Sequence, residues 1–462
     1  MKIIYGFLLV GSLFVFQSAK ADEYQWKAGV SRAVMTPEGT MWLAGYASRD
    51  QAATGVLHDL WIKALALEDQ HGYQALLITA DVVGIPKSFT DRIRSQLKAA
   101  FNLSASQIII NSSHSHSGPI ISDGLHDFYG VSFDSTQEDL IRAYTAKMEQ
   151  HMLKAAREAI QSLTPVHVFT GNGVTRFQVN RRNNSEASIA ELFEIKGPVD
   201  PSVPVIKVAD LSGRMLSIVF GYACHATVLG GYEWSGDYPG FAQLELEKMY
   251  PGATAMFFQG AGGDQNPLPR RTASLARQYG KELAAAVESV LSEDMQKQPA
   301  TLQTAYAEID LPLSAPPDRK KLEELAAQPT DYTCIWAKRM LADLNSQGKL
   351  NSSYPYYPVQ LWKLGRQSLF SLGGEVVIDY AIKLKYMYGM NIFVMGYAND
   401  VMAYIPSLRV LHEGGYEGSR SQLYYPGMSA NWDPSIESRI LSSMEKLAEE
   451  IGLEKTQGVS FP

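Results

Sequence analysis

Apolar and polar residues alternate over several short stretches of the chain, and this period of two predicts β-strands. Three pairs of such stretches are separated by short turns and predict hairpins: 61–67 with 73–78, 204–210 with 215–221, and 359–364 with 367–372. Single strands are predicted at 108–110, 166–170, 253–258, 301–313 and 391–397. Apolar residues three or four positions apart predict helices at 88–101, 137–163, 273–291 and 432–451, and one more directly after Glu375.

Strands and helices are therefore mixed along the whole chain, which predicts an α/β (mixed α+β) fold with mixed sheets flanked by helices. The helix at 137–163 has the clearest apolar stripe, and we expect its members in the core: Leu140, Tyr144, Met148, Met152 and Ile160. Two prolines precede a charged helical stretch, so residues 315–355 are a candidate peripheral insertion in one large domain.

Residues 107–119 read QIIINSSHSHSGP and combine a short strand with a loop that contains two histidines. The β-branched run at 108–110 predicts a buried strand, and the loop follows its C-terminal end, where α/β folds place their functional groups. His114 and His116 point to the same side of an extended segment, so both can reach one ion, or one holds an ion and the other a proton. A polar loop whose histidines only bond to their neighbours is the alternative.

Other strand ends carry residues with the same chemistry. His225 follows the strand in GYACHAT, Glu375 lies where a strand passes into a helix, and Tyr404 follows the last strong strand. Together with His114 and His116 they provide imidazole, carboxylate and phenol groups, which are ligand types that suit zinc. The pattern predicts a metal site at the C-terminal ends of the strands.

Two further polar residues have open interpretations. Asp81, just past a predicted strand, either supports a metal ligand from behind or caps a turn. Arg181 ends the segment GNGVTRFQVNRR, where its guanidinium either reaches into a cleft or forms a surface ion pair.

The composition is that of a globular protein, with 46% hydrophobic and 19% charged residues and a net charge of -7. Negative charge argues against nucleic acid as a partner, because phosphate binding needs a basic surface. The two cysteines, Cys224 and Cys334, are open to pairing in an oxidising compartment or to being buried free thiols. They are too far apart in sequence for a cysteine-based zinc site.

The N-terminus has the features of a secretory signal peptide. Lys2 provides a positive charge, residues 3–16 form an apolar core, and residues 19–21 (Ala-Lys-Ala) fit the cleavage pattern. We expect cleavage after Ala21 and a mature chain, residues 22–462, that is secreted or periplasmic. No later stretch has the length of a membrane span, so we expect no transmembrane segment. No cysteine lies directly after the predicted cleavage site, so we expect no lipid anchor.

Several motifs in a fixed order make the chain resemble the neutral ceramidase family. HSHSGP, GYACHAT, the VQLWKLG stretch followed by GGE, and GYAN followed by two tyrosines twelve residues apart occur here as they do in that family. The likeness runs from about Gly29 to Gly427. It implies the catalytic, N-terminal domain of a zinc amidohydrolase that acts on an N-acyl lipid or another small amphiphilic substrate.

The resemblance also implies roles for individual residues. Four match the zinc ligands of the family, in chain order: His114, His225, Glu375 and Tyr404. His116 resembles the histidine that handles protons beside the metal, and Tyr416 and Arg181 match residues that face the scissile carbonyl. Amide hydrolysis by zinc-activated water is therefore the predicted reaction.

The chain departs from the family in two places. Asn266 occupies the position of a serine linked to hydroxyl recognition or nucleophilic attack, so a serine nucleophile is not available there. The chain also stops about where the catalytic domain of the family stops, so the β-sandwich-like C-terminal extension is expected to be absent. These differences leave ceramide itself open as the substrate, and with it the choice between an amidase and a zinc esterase acting on a non-sphingolipid.

Two other functions remain to be compared with this one. A metal-dependent phosphoesterase is disfavoured because the chain has no Asp-x-His motif followed by Gly-Asn-His and no aspartate cluster for two metals. A catalytically silent lipid-binding relative would explain the change to Asn266, but it would have no evident need for Glu375 and Tyr404.

Overall fold

The computed structural model describes residues 25–122, 133–329 and 331–456. Its strands are β1 (Trp26–Val34), β2 (Gly55–Val56), β3 (Trp61–Glu68), β4 (Gln74–Ala80), β5 (Ile108–Ser112), β6 (Thr164–Val174), β7 (Gln178–Asn180), β8 (Ser202–Asp210), β9 (Met215–Tyr222), β10 (Glu233–Trp234), β11 (Thr254–Gln259), β12 (Gln265–Pro267), β13 (Gln296–Lys297), β14 (Leu302–Pro312), β15 (Ser353–Leu364), β16 (Gln367–Leu372), β17 (Glu375–Val376), β18 (Phe393–Met395) and β19 (Tyr404–Ile405). Its helices are α1 (Lys87–Phe101), α2 (Ser135–Gln161), α3 (Asp237–Met249), α4 (Ala273–Ser292), α5 (Arg319–Ala326), α6 (Tyr332–Gln347), α7 (Ile378–Tyr388), α8 (Leu408–Glu413), α9 (Gly415–Gly418) and α10 (Ile436–Glu450).

A nine-stranded mixed sheet forms the centre of the molecule, in the order β11-β9-β8-β6-β1-β3-β4-β5, with β13 paired to β6. The two outermost pairs, β11 with β9 and β4 with β5, are parallel, and the remaining pairs are antiparallel. A second sheet has four strands in the order β14-β15-β16-β18. Three two-stranded sheets, β10-β2, β12-β7 and β17-β19, lie outside these two.

The large sheet is buried on both faces, because successive side chains of a strand point to opposite sides. In β5, Ile108 and Ile110 pack with α1 and α2, whereas Ile109 packs in the core shared with the second sheet. Helices α3 and α4 cover the other half of the same face. Burial on both faces explains why the strand at 108–110 is apolar without interruption.

The second sheet is also covered on both sides. Trp362 and Leu369 face the large sheet, while Val359 and Phe370 pack with α7 and α10 on the opposite side. The layers are therefore helices, large sheet, small sheet and helices, which agrees with the mixed α/β fold expected from the sequence. The predicted hairpins, single strands and main helices are all present, with ends shifted by a few residues.

One core assignment was wrong. Leu140 is 38% exposed, and its neighbour Ile141 takes the buried position on the stripe of α2 with Tyr144 and Met148. The apolar positions of a helix follow a period of 3.6, so the register at the first turn was one residue off. Residues 315–355 contain α5 and α6, which form a small apolar cluster of their own around Leu322.

Within the described ranges, no helix combines the length and the apolar character needed to cross a bilayer. The predicted signal peptide lies outside the described residues, as does most of the loop after His116, residues 123–132.

Candidate active site

Asn111 joins three strand ends and so determines where the site forms. Its side chain accepts a hydrogen bond from Gln259 N (2.9 Å) at the end of β11 and donates one to Gly396 O (2.8 Å) after β18. Gly396 N in turn donates to Gln259 O (3.0 Å). The carboxyl ends of β5, β11 and β18 are thereby held together, and the loops that follow them meet at one point.

His114 is the first functional residue of the loop after β5. Its backbone has a left-handed conformation, with φ of 58°, which turns the side chain back over the strand ends. The ring nitrogen Nδ1 contacts the carbonyl oxygen of Val83, so Nδ1 carries a proton and Nε2 faces the centre of the site.

His225 is held in the same manner after β9. Its backbone amide donates to Gln265 O (3.0 Å), and its Nδ1 donates to Gly262 O (2.7 Å) in the glycine-rich turn. Gly263 lets this turn approach β17 closely, because a Cβ there would lie 2.6 Å from the carbonyl oxygen of Glu375.

Glu375 and Tyr404 are brought together by the short parallel pair β17-β19, in which they are direct partners. Oε2 of Glu375 lies 3.1 Å from Nε2 of His114 and 3.4 Å from Nε2 of His225. The phenol oxygen of Tyr404 lies 3.2 Å from Nε2 of His225. Four side chains from four separate strand ends therefore meet within hydrogen-bonding distances.

These four groups fit a zinc site by the chemistry of their donor atoms. Two imidazoles, one carboxylate and one phenol provide nitrogen and oxygen ligands, and all four residues are almost fully buried. Each histidine uses Nδ1 on a backbone carbonyl, which is how metal-bound histidines are usually oriented. The residues predicted from the sequence as zinc ligands are thus gathered in one place, and their binding of zinc stays a prediction.

His116 lies beside this group, but its ring is held differently. Its Nε2 is 3.1 Å from Nε2 of His114, and the ligand atoms of His114, His116 and His225 all lie within 4.8 Å of one another. Its Nδ1 has no hydrogen-bond partner among the described residues, whereas Nδ1 of the other two histidines is anchored. The ring of His116 is thus less anchored than the other two, and its predicted role in proton transfer stays a prediction.

Arg181 reaches into the site, which agrees with the interpretation that its guanidinium enters a cleft. Its Nη2 donates to the phenol oxygen of Tyr404 (3.0 Å) and its Nη1 to Oδ1 of Asn266 (3.3 Å). Glu417 anchors the guanidinium through Nε (2.7 Å). The ring of Tyr416 lies 5.3 Å from that of Tyr404, so both residues predicted to face the carbonyl lie on one side of the site.

The charges of the site match a cation-binding centre. Burial and the charge of Arg181 lower the pKa of His225 to about 4, so this imidazole is neutral at pH 7. Burial opposes the ionisation of Glu375, but His114 and His225 outweigh it and hold its pKa well below the usual range. Burial raises the pKa of Tyr404 well above its usual value although Arg181 opposes this, so the phenol needs a nearby cation to ionise.

The described contacts of Asp81 include none of the four candidate ligands, although its side chain contacts that of Ser113 next to His114. Its carboxylate accepts a hydrogen bond from the backbone amide of Trp61 (2.9 Å), and the anchor of His114 is the carbonyl of Val83 instead. This contact is not the predicted cap, because Trp61 lies on the paired strand β3, 20 residues earlier in the chain. Cys224 and Cys334 are buried free thiols, so they are not paired with each other.

Sequence reasoning missed the residues that hold Glu375 and Arg181. The hydroxyl of Tyr425 donates to Oε1 of Glu375, and that of Tyr397 lies 3.5 Å from Oε2. Glu417 binds Arg181 as described above. Tyr397 and Glu417 lie inside the motifs GYAN and YEG, which was a usable signal, whereas nothing in the local sequence marked Tyr425.

Asp264 was also missed, and it joins three parts of the site. Its Oδ1 accepts from Gln265 Nε2 (3.0 Å) and from the backbone amide of Ile378 (2.9 Å) at the start of α7. Its Oδ2 accepts from Asn180 Nδ2 (2.9 Å), and its carbonyl accepts from Arg181 N (2.9 Å). This buried carboxylate therefore positions the segments that carry Arg181, His225 and Glu375.

Replacing Asp264 by asparagine is expected to lower the free energy of unfolding by about 1–3 kcal/mol. Asparagine has one acceptor oxygen, so at least one of three buried donors would lose its partner. Chemical denaturation measures the change. Asp294→Asn, on an exposed carboxylate, is the control and should stay within about 0.5 kcal/mol of the wild type. Equal stability of the two variants would contradict the central role of Asp264.

A cleft of about 840 Å³ opens beside the site. Arg181, Asn266 and Tyr416 belong to both the site and the wall of this cleft. The four donor residues do not line the cleft themselves, and Arg181, which donates to the phenol oxygen of Tyr404, connects the two.

The family model for the N-terminal part of neutral/alkaline non-lysosomal ceramidases matches residues 26–278, which is more than half of the chain. His114, Arg181 and His225 lie inside this match. Glu375 and Tyr404 lie beyond it, and their assignment depends on the motifs and on the geometry of the site.

Individual relatives match this chain over about a third of their own length. Neutral ceramidase B of Dictyostelium discoideum is 24% identical over 257 residues, which are 49% of this chain and 33% of the relative. The neutral ceramidase of Drosophila melanogaster is 23% identical over 237 residues, 49% of this chain and 32% of the relative. The chain thus spans about a third of the length of the curated relatives it matches.

A solved structure covers more of the chain. The crystal structure of neutral ceramidase from Pseudomonas aeruginosa matches with a TM-score of 0.71 and 18% identity, over 96% of this chain and 77% of that chain. At this identity the likeness concerns the fold, and it confirms the mixed α/β architecture expected from the sequence. With the match of the family model, the conclusion is that this chain belongs to the neutral/alkaline non-lysosomal ceramidase family.

Proposed function

We propose that the protein is a zinc-dependent amidohydrolase that cleaves the N-acyl bond of ceramide or a related N-acyl lipid. One observation carries this proposal: Nε2 of His114 and Nε2 of His225 lie 3.1 and 3.4 Å from one carboxylate oxygen of Glu375. The phenol of Tyr404 completes the group at 3.2 Å from His225. Membership of the ceramidase family supports hydrolysis of an amide as the reaction.

The four residues that would hold zinc are His114, His225, Glu375 and Tyr404. When bound, zinc polarises a carbonyl oxygen and lowers the pKa of a water molecule toward 7. In the net reaction the water oxygen adds to the acyl carbon, the C–N bond breaks, and one water proton goes to the leaving nitrogen. Asn266 has no hydroxyl, so this position provides no side-chain nucleophile, and water is the nucleophile in this proposal.

The other site residues have separate roles in this proposal. His116 accepts a proton from the attacking water and passes it to the leaving nitrogen. Burial, followed by His114 and His225, lowers its pKa well below the usual value, so the ring is neutral and can accept that proton. Arg181 and Tyr416 donate hydrogen bonds to the oxyanion that develops on the acyl carbon. Burial lowers the pKa of Arg181, but Tyr404 and Glu417 outweigh it and raise that pKa well above the usual value, so the guanidinium stays charged.

We also propose that residues 1–21 direct export and that residues 22–462 form the catalytic domain. A two-metal phosphoesterase is disfavoured, because the described residues contain one candidate metal group, formed by three histidines. A binding protein without catalysis would keep the zinc and show no turnover.

The experiment that tests the function is hydrolysis of a panel by the purified protein, with zinc content measured in parallel. The panel contains ceramide, an N-acyl amino acid, an N-acyl ethanolamine and an aryl ester of the same acyl chain. We expect about one zinc per chain, amide hydrolysis that a chelator abolishes, and recovery when zinc is added back. Hydrolysis that survives complete removal of the metal would contradict the proposal, and zinc without any turnover would favour a binding protein.

A further inference from the structure

The cleft beside the site has an unusual lining for an enzyme that would act only on an apolar, neutral lipid. Of the described side chains that line it, Leu268 is the only aliphatic one, and it is 6% exposed. The wall is made mainly of arginine, asparagine, serine and glutamate side chains, all within the described part of the chain. The cleft therefore offers several hydrogen-bonding and charged partners for a polar group.

The arginines of the cleft outnumber its carboxylates. Arg181, Arg182, Arg270 and Arg420 line it together with Glu186, Glu413 and Glu417. This local excess of positive charge contrasts with the net charge of -7 of the whole chain. A cleft opposite in sign to the rest of the molecule attracts an anion selectively.

The ion pairs show why these carboxylates do not neutralise the cleft. Glu417 is shared by Arg181 and Arg182, with both N···O distances 2.7 Å. Glu413 is likewise shared by Arg182 (3.0 Å) and Arg409 (2.9 Å).

The same arrangement occurs on the other side of the cleft, where Glu186 is shared by Arg270 and Arg271. Arg420 is exposed and forms no ion pair with any residue in the described ranges. Among the described residues, the charge of Arg420 thus has no carboxylate partner. Arg181 and Arg270 each share one carboxylate with a second arginine, whereas Arg182 contacts both Glu413 and Glu417.

From this charge pattern we infer that the substrate is an N-acyl amide with an anionic head group, namely an N-acyl amino acid whose carboxylate lies near Arg420. The inference rests on the proposed amidohydrolase function and specifies its substrate class. A guanidinium binds a carboxylate through two parallel hydrogen bonds, whereas the hydroxyl groups of a ceramide head offer no charge. The reactive amide would then lie beside Arg181 and Tyr416, and the carboxylate would extend along the cleft.

The test compares the zinc-loaded protein on three substrates with the same acyl chain: N-acylglycine, N-acyltaurine and N-acylethanolamine. The three have head groups of similar length and differ mainly in carrying a carboxylate, a sulfonate or a neutral hydroxyl. We expect kcat/KM for N-acylglycine to exceed that for N-acylethanolamine by at least about tenfold, the effect of one charged contact of about 1.4 kcal/mol. High salt should reduce this ratio, because it screens exposed charges.

Arg420→Gln should lower the ratio of N-acylglycine to N-acylethanolamine by about tenfold. Arg214→Gln is the matched control, because Arg214 is an exposed arginine whose partner is Asp210 at the β8-β9 turn, and this variant should keep the wild-type ratio. If Arg420→Gln does not fold, the salt dependence of the wild-type ratio makes the same test. A faster reaction with N-acyltaurine than with N-acylglycine would support an anionic head group in the substrate. It would overturn the assignment of that head group as a carboxylate.

A rate for N-acylethanolamine or ceramide equal to that for N-acylglycine would overturn the inference while leaving the proposed function intact. If no amide is hydrolysed, the proposed function fails, and the inference is then decided by calorimetry of the same compounds. Tighter binding of N-acylglycine than of N-acylethanolamine by about tenfold would still support an anion-binding cleft. Equal binding would overturn it.

Discussion

His225→Ala is expected to reduce bound zinc to less than about a tenth of the wild-type content and to lower kcat/KM by at least about 10³-fold. Such a loss corresponds to about 4 kcal/mol of transition-state stabilisation, which is within the several kcal/mol that a catalytic metal contributes. Alanine removes the nitrogen that lies 3.4 Å from Glu375 and 3.2 Å from the phenol of Tyr404. The remaining donors would bind a metal weakly and in the wrong geometry.

The measurements for this variant are metal content by elemental analysis, kcat/KM on the best amide substrate, and the thermal unfolding midpoint. The hydrogen bond from the backbone amide of residue 225 to Gln265 O remains possible in the alanine variant, so we expect this variant to fold. His71→Ala is the control, since His71 is exposed on the turn between β3 and β4 and should keep both zinc and activity. Full activity in His225→Ala would show that the zinc assignment is wrong.

Arg181→Gln is expected to lower kcat by about 10²- to 10³-fold while zinc content stays at the wild-type level. This is the loss seen when one preorganised donor to an oxyanion is removed, about 2.7–4 kcal/mol. The guanidinium contacts Tyr404 and Asn266 and is anchored by Glu417, so it is fixed in place before the reaction. Arg181→Lys keeps the charge but loses the planar fork, and should fall between the glutamine variant and the wild type.

Arg182→Gln is the matched control for this prediction. Arg182 binds the same Glu417 at 2.7 Å, but its described contacts do not include Tyr404 or Asn266. We expect a loss of kcat at least tenfold smaller than for Arg181→Gln. An Arg181→Gln enzyme with nearly normal kcat, or one that has lost its zinc, would assign Arg181 to holding the site together rather than to catalysis.

The charged cleft bears on how the departure at Asn266 is understood. Asn266 is one of the residues that line both the cleft and the site, and its Oδ1 accepts from Arg181. The resemblance implies that Asn266 replaces a serine, and such a replacement next to a surplus of guanidinium groups is consistent with a change of head group rather than with loss of chemistry. The panel experiment and the comparison of head groups separate these two explanations.

Much of the fold was predictable because its causes are local. The mostly apolar residues of β3, β4 and β5 are local signals of strands that are buried on both faces. The error at Leu140 arose because a helix with a broad apolar face leaves the register of its first turn undecided. The residue types of the candidate site were visible for the same local reason, since each follows a recognisable strand.

The sequence by itself thus determined the mixed α/β class, the positions of most elements, and the candidate ligands His114, His225, Glu375 and Tyr404 at strand ends. Only the tertiary structure decided that these four residues meet, because the pairing of Glu375 with Tyr404 joins segments 29 residues apart in the chain. It also decided that Val83 rather than Asp81 anchors His114, and that Tyr425 and Asp264 support the site. Contacts between distant segments depend on how whole sheets pack, and no local pattern of residues records them.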